Sequence, residues 1–290
     1  LLTLGFALVE AVAGWRAGSL ALLSDAAHML TDASSLGLAA AAAWLARRPP
    51  SLRHSYGLVR SEILAALVNS VAMLVLIAFI VYEALQRFNT PQPVAGGAVA
   101  VVAVIGLAVN VFVAWTLHRG EQTLNSRAAL LHVLGDVLGS VAAITAGVVI
   151  LATGWTPIDP LLSLFVALLI GVSALRLLRE TVHVLMEGVP SNVQLDVVGR
   201  DLATVTGVLR VHDLHVWTLS SGTLALSAHL EIRHLADWPT ILDSARQRMA
   251  DVHHIHHTTL QPEPVPGSPL HFHASRPDLG ALSETRQNTV

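Results

Sequence analysis

Residues 20–45 read LALLSDAAHMLTDASSLGLAAAAAWL, and the reading of this stretch decides the fold. A helix rises about 1.5 Å per residue, so the run is long enough to cross a hydrocarbon core of roughly 30 Å. Yet it carries Asp25, His28 and Asp32. Ionisable groups in hydrocarbon are costly, so their presence points to function before structure. His28 and Asp32 are four residues apart, which puts both on one helix face, one turn from each other. The same His-x-x-x-Asp pattern returns at His132 and Asp136, inside another apolar run.

Outward from these two stretches, the chain repeats the pattern of a spanning helix. Six runs are legible: Leu1 to about Trp15, Leu20 to Leu45, Ile63 to about Leu85, about Val94 to Leu117, Ala128 to Ala152, and Pro160 to about Leu178. Short segments with Arg, Pro or Gly separate them. The chain opens inside an apolar run at Leu1, so a trimmed N-terminus is expected rather than a signal peptide. Arg47, Arg48, Arg53, Arg60, Arg119, Arg127, Arg176 and Arg179 flank one side of the spans, against Arg16 and Arg87 on the other. By the positive-inside rule, both termini are expected in the cytoplasm.

Composition agrees. The 290 residues are 53% hydrophobic and 13% charged, which suits a membrane better than water. The basic residues are all Arg and form no basic arm, and the net charge is −3, so nucleic acid is not an expected partner. There is no Cys. That removes disulfides, thiolate zinc sites and Cys nucleophiles, and leaves 15 His as the metal-binding resource.

From about Gly188 the texture becomes that of a soluble domain. Asn192 to Thr206 reads as an amphipathic helix; Val208 to Leu219 and Thr223 to Ile232 read as strands joined by Ser220-Ser221-Gly222. A second helix is expected from Trp238-Pro239 to about Val252, then a strand from His256 to about Pro262. This α-β-β-α-β order makes a small open sheet with helices on one face. The domains expected are 1–187, a transmembrane helical bundle, 188–265, a small α+β domain, and 266–290, a disordered tail rich in Pro, Gly and Ser.

Two His-x-x-x-Asp helices packed face to face would bring His28, Asp32, His132 and Asp136 together. Two imidazoles and two carboxylates make a closed tetrahedral set whose charge balances a dication, and this nitrogen and oxygen mixture suits zinc. The alternative is two local His/Asp pairs lining a polar interior. The same motif in two spans argues for the shared site, and small residues nearby, Ala26, Ala27 and Ala33 with Gly135, Gly139 and Ser140, permit close approach. Glu10, Asp25, Asn69, Asn110 and Asp159 fall within or beside spans; Asp25, two turns before Asp32, can line an outer vestibule or bond to a neighbouring helix, Glu10 and Asp25 stay open between roles, and Asn69 and Asn110 read as structural.

The string Leu22-Leu23-Ser24-Asp25-Ala26-Ala27-His28-Met29-Leu30-Thr31-Asp32, the second His-x-x-x-Asp, and Val211-His212-Asp213-Leu214-His215-Val216-Trp217 together resemble the cation diffusion facilitator family. The resemblance runs through about Glu263. It implies a six-helix membrane bundle followed by a cytoplasmic ferredoxin-like domain, a homodimer, and metal/proton antiport with His28, Asp32, His132 and Asp136 as transport ligands. His at position 28 is similar to the zinc-type members, so Zn2+ is the expected cargo, in the inner membrane of a bacterium. The resemblance also raises a secondary site. His54 matches a loop ligand of some members, but Leu58 and Arg53 stand where further ligands are needed, so a structural or capping role competes. His212, His229 and Glu263 in the soluble domain are candidates for regulatory metal, against a reading as plain surface polar groups. His253, His254, His256 and His257 form a dense tract that can bind metal weakly.

Three other classes compete. A membrane cytochrome would use His28 and His132 as haem ligands, but haem needs no anion one turn from each; a Soret band in purified protein would decide. A metalloprotease needs an open metal position, and no His-Glu-x-x-His is present. A zinc receptor without transport is separated by liposome flux alone.

Overall fold

The computed structural model describes residues 2–119, 124–220 and 222–265, leaving aside the side chains at 2, 117 and 124–132. The expected tail at 266–290 lies outside the described residues. The chain divides into two compact units, Leu1–Val182 and His183–Val290.

The first unit is built from long helices: α1 (Leu2–Ala17), α2 (Leu20–Ala46), α3 (Ser61–Asn89), α4 (Gly96–Arg119), α5 (Leu124–Thr153) and α6 (Ile158–Leu185), the last running into the second unit. Stretches of α2 to α6 are long and apolar enough to cross a membrane; α1, with 16 residues, is shorter. The distribution of polarity is that of a bundle in lipid. Val75, Phe79 and Leu85 on α3 and Phe165 and Leu168 on α6 face outward, while Glu10, Asp25, Asn110, Asp136, Ser140 and Asp159 are buried. In water the opposite arrangement would be favoured.

Glycines set how closely the helices pack. A Cβ at Gly96 would come 2.8 Å from the Gly147 carbonyl oxygen, and one at Gly147 would come 2.6 Å from the Ala100 nitrogen, so α4 and α5 touch backbone to backbone. Gly14 likewise admits Leu22 and Leu23 of α2 against α1. Gly18 turns the chain between those helices at φ +70°, a conformation other residues adopt only with strain.

The start of α2 is held by a carboxylate from another helix. Ser19 caps α2, accepting from the Leu22 N–H at 3.3 Å. Its hydroxyl donates in turn to Asp159 Oδ1, and the N–H groups of Leu20 and Ala21 donate to the same carboxylate at 2.6 and 3.4 Å. Asp159, fully buried in the first turn of α6, thus satisfies helix donors that would otherwise be orphaned in hydrocarbon. Arg87 Nη1 of α3 lies 3.9 Å from Asp159 Oδ2 and donates to the Gly18 carbonyl.

The second unit has α7 (Leu195–Ala203), β1 (Val208–Ser220), β2 (Thr223–Ile232), a 3-10 turn at Leu235–Asp237, α8 (Trp238–His253) and β3 (His257–Pro264). β1 and β2 form an antiparallel hairpin, and β2 pairs with β3 in parallel, so β2 is the central strand. A parallel pair needs a crossover, and α8 provides it. The core joins Val198 and Leu202 of α7, Val211, Leu226, Leu230 and Ile232 of the sheet, and Ile241, Ala245 and Met249 of α8. Because side chains alternate along a strand, burial of Val211, Ala228 and Leu230 turns His212 and His229 to the face away from that core. The first helix is shorter than the expected 192–206 because Thr204 caps it on the carbonyls of Arg200, Asp201 and Leu202. His254 stops α8 in the left-handed conformation at φ 57°.

Removing the Asp159 carboxylate leaves the Leu20 and Ala21 N–H groups and the Ser19 hydroxyl without their acceptor, while Arg87 keeps its ion pair with Glu83 at 3.1 Å. Asp159→Ala is expected to destabilise the first unit by about 2 kcal/mol or more, read as a lower unfolding temperature in detergent. An unchanged temperature would show that this contact does not hold α2 in place.

Candidate metal centre

Two clusters of metal-ligating side chains occur among the described residues. The first is in the helical unit. His28 and Asp32 sit one turn apart on α2, with His28 Nε2 3.4 Å from Asp32 Oδ2, and Asp136 Oδ1 of α5 lies 4.0 Å from His28 Nε2. One ligand atom from each lies within 4.8 Å of the others. Ligands about 2.0 Å from a tetrahedral zinc are about 3.3 Å from one another, so small movements would close these three around an ion. The side chains are 14%, 22% and 6% exposed. His132 is on α5 one turn before Asp136, so the backbone places it on the same helix face; its side chain lies outside the described residues. What the cluster offers is one imidazole and two carboxylates in an apolar bundle, a set whose negative charge calls for a cation.

The second cluster is in the sheet. Pairing of β1 with β2 sets His212 directly opposite His229. Glu263, inside β3 rather than just past its end, reaches both: Oε2 is 2.8 Å from His212 Nε2 and Oε1 is 2.7 Å from His229 Nδ1. The three ligand atoms again lie within 4.8 Å. Hydrogen bonding from His212 holds the Glu263 carboxyl below the ordinary glutamate range; slight desolvation opposes this, and His229 adds to it.

Sequence reasoning missed the neighbour of this cluster. Asp213 has φ 50° at the irregularity in β1 between His212 and His215, where the strand carries one extra residue against β2. Its Oδ1 is 2.9 Å from His215 Nε2 and its Oδ2 is 3.6 Å from His229 Nε2, so His229 stands between two carboxylates. Hydrogen bonding from His215 lowers the Asp213 carboxyl from its usual value. An acid between two histidines, in the order His-Asp-Leu-His, was the available signal.

The other candidates are not gathered. His54 is exposed in a turn, its N–H shared between the Ser51 carbonyl and hydroxyl, and it joins neither cluster. His253 is bonded to Asp201 at 2.7 Å, tying the end of α8 to α7 beside Arg248, so part of the His tract has a structural partner. Asn110 does have the structural contact expected of it, donating to Ser140 Oγ at 3.2 Å. Asp159, noted in the sequence only as a polar residue at a span, is the helix anchor described above.

Residues 1–186 match the family model described as the cation efflux transmembrane domain, and residues 190–265 match that of the cation efflux protein, cytoplasmic domain. The zinc transporter ZitB of Shigella flexneri is 45% identical over 267 residues, 91% of this chain and 85% of that protein. The cadmium, cobalt and zinc/H(+)-K(+) antiporter of Bacillus velezensis is 40% identical, covering 89% of this chain and 84% of its own. The metal cation efflux system protein CzcD of Cupriavidus metallidurans is 37% identical, covering 97% and 91%.

Glu263 links this geometry to pH. Its value in the folded chain lies below the unfolded one, so its contribution to stability is complete above the ordinary glutamate range and is lost as pH falls through the lowered value. The stability difference between the wild type and His212→Ala with His229→Ala is therefore expected at neutral pH and should shrink toward about pH 3. Denaturant unfolding of the second unit at both pH values checks this; an equal difference at both would remove Glu263 as its source.

Proposed function

The chain belongs to the cation efflux family, and on that premise we propose that it exports zinc across a membrane in exchange for protons, through His28, Asp32, His132 and Asp136. It is a transporter, not an enzyme. The observation that carries the reading is the convergence of His28 and Asp32 of α2 with Asp136 of α5 inside an apolar bundle. His132, one turn from Asp136, completes the set with a second imidazole. The relatives named for zinc transport and for zinc/H(+)-K(+) antiport support zinc as cargo and the proton as counter-ion.

The chemistry of the ligands provides exchange. A histidine binds metal only through a neutral nitrogen, so protons and zinc compete for the same atoms. Zinc loads from the cytoplasm onto the four ligands; protons entering from the opposite side help discharge it. Both charge states keep the buried carboxylates balanced, by a dication or by protons. Access alternates by rocking of helices around the site.

The architecture of this reading is a six-span bundle, with α1 as the sixth span, followed by a ferredoxin-like domain. Both termini are cytoplasmic, and the bacterial inner membrane is the setting. The second unit is a regulatory and dimerisation domain, in which His212, His229 and Glu263 take zinc as a regulatory ligand and two chains assemble as a homodimer. The family model matched by residues 190–265 supports the cytoplasmic placement.

Zinc uptake into proteoliposomes under an imposed pH gradient tests the function. Asp136→Ala is expected to reduce flux to background while inserted protein remains, because one charge and one ligand are lost. Near-normal flux would remove the site. Selectivity follows from position 28. Imidazole binds through one nitrogen in one direction, favouring compact four-coordinate zinc, whereas a carboxylate offers one oxygen or two and adds negative charge. His28→Asp is therefore expected to narrow the zinc to cadmium flux ratio at least severalfold, mainly by gaining cadmium. An unchanged ratio in an active variant would place selectivity in the access path.

A further inference from the structure

Beside the His28, Asp32 and Asp136 cluster, four helices converge on a second set of polar groups. Glu10 of α1 is 1% exposed, and neither of its carboxylate oxygens has a hydrogen-bond partner. It lies against α4 at Gly106, where a Cβ would come 2.8 Å from Oε1. Asp25 of α2 is 3% exposed and its Oδ2 has no partner; it lies against α5 at Gly139, where a Cβ would come 2.7 Å from Oδ1. Glu10 is within electrostatic reach of both Asp25 and Asp136. Asn110, one turn from Gly106 on the same face of α4, is 1% exposed. It spends its amide N–H on Ser140 Oγ, next to Gly139, and its Oδ1 is left without a partner.

The Asn110–Ser140 bond is a strut between α4 and α5, but it leaves both oxygens of Glu10, Asp25 Oδ2 and Asn110 Oδ1 without a bond to any helix. Two buried carboxylates with three oxygens lacking donors are costly in hydrocarbon, and evolution of a merely structural core would replace them with apolar residues. Glycine at both facing positions leaves room for the carboxylates, which a Cβ at either place would displace. We propose that Glu10 and Asp25, with Asn110 Oδ1, form a second cation station that takes the transported divalent ion after it leaves His28, Asp32 and Asp136.

Position and donor chemistry give the station its place in the path. Asp25 precedes His28 by one turn, about 4.5 Å along α2 toward the end opposite Arg47 and Arg48. On the orientation argued above, on which this inference rests, that is the release side. The donors are all oxygens, whereas the first cluster offers imidazole nitrogen. Zinc binds an oxygen set less tightly than one containing imidazole, so the ion steps from a tighter site to a looser one before it leaves.

Equilibrium zinc binding to the full chain in detergent tests this, in a His212→Ala, His229→Ala background that removes the sheet cluster. The background is expected to bind two equivalents. Asp136→Ala is expected to lose one, Glu10→Gln with Asp25→Asn the other, and the combined variant both. The station is overturned if Glu10→Gln with Asp25→Asn still binds two, or if the background binds a single equivalent that Asp136→Ala removes. Should the double variant fail to insert, Asp25→Asn alone is read in the same way. Flux separates this from the transport reading. Two bound equivalents with no zinc flux would sink transport and leave the station, whereas flux with a single equivalent would sink the station alone.

Discussion

The Asp159 carboxylate at the start of α2 is the contact on which the metal cluster depends. In lipid there is no water to take up the first N–H groups of a helix, so a partner must come from the protein. Asp159 supplies it from α6, and Arg87 of α3 stands beside it as counter-charge. Three helices are thereby tied at one level. From that fixed point the helix repeat determines where every later residue of α2 faces, including Asp25, His28 and Asp32. A rotation of α2 by one residue would turn His28 about 100° away from Asp136.

Much of this was legible in the sequence, and the reason is the solvent. A bilayer demands long apolar runs, so the helices stand out, with most ends displaced from the expected ones by a few residues and α6 running on to Leu185, well past the expected Leu178. It also makes any charged residue expensive, so His28, Asp32 and Asp136 were visible as candidates before α5 was placed against α2. The sheet cluster was legible as residues and not as a geometry. His212 opposite His229 follows from hairpin register, but the reach of Glu263 to both depends on a parallel pairing across α8 that no local pattern encodes.

What sequence could not give is direction and neighbourhood within the bundle. Asp159 and Asp25 are both buried aspartates near the start of a long apolar helix. One is saturated by backbone donors and the other has an oxygen with none. The difference lies entirely in what the facing helix presents: the open first turn of α2 in one case, a bare glycine of α5 in the other. The bulge at Asp213 was hidden for the same reason. An alternating strand gives no hint of where it takes an extra residue.

The backbone contact between α4 and α5 constrains how this chain can change over generations. With Gly96 against Gly147 and Gly147 against Ala100, even a methyl at either glycine would have to part the two helices. Asp136 rides on one of them and Asn110 on the other. A lineage that lost either glycine would need a matching reduction on the opposite helix, and position 147 already faces residues with almost nothing left to shrink. The seam is therefore a place where single substitutions have no nearby compensation. Descendants of this chain are expected to vary freely on the lipid-facing side of the same helices and hardly at all along that line.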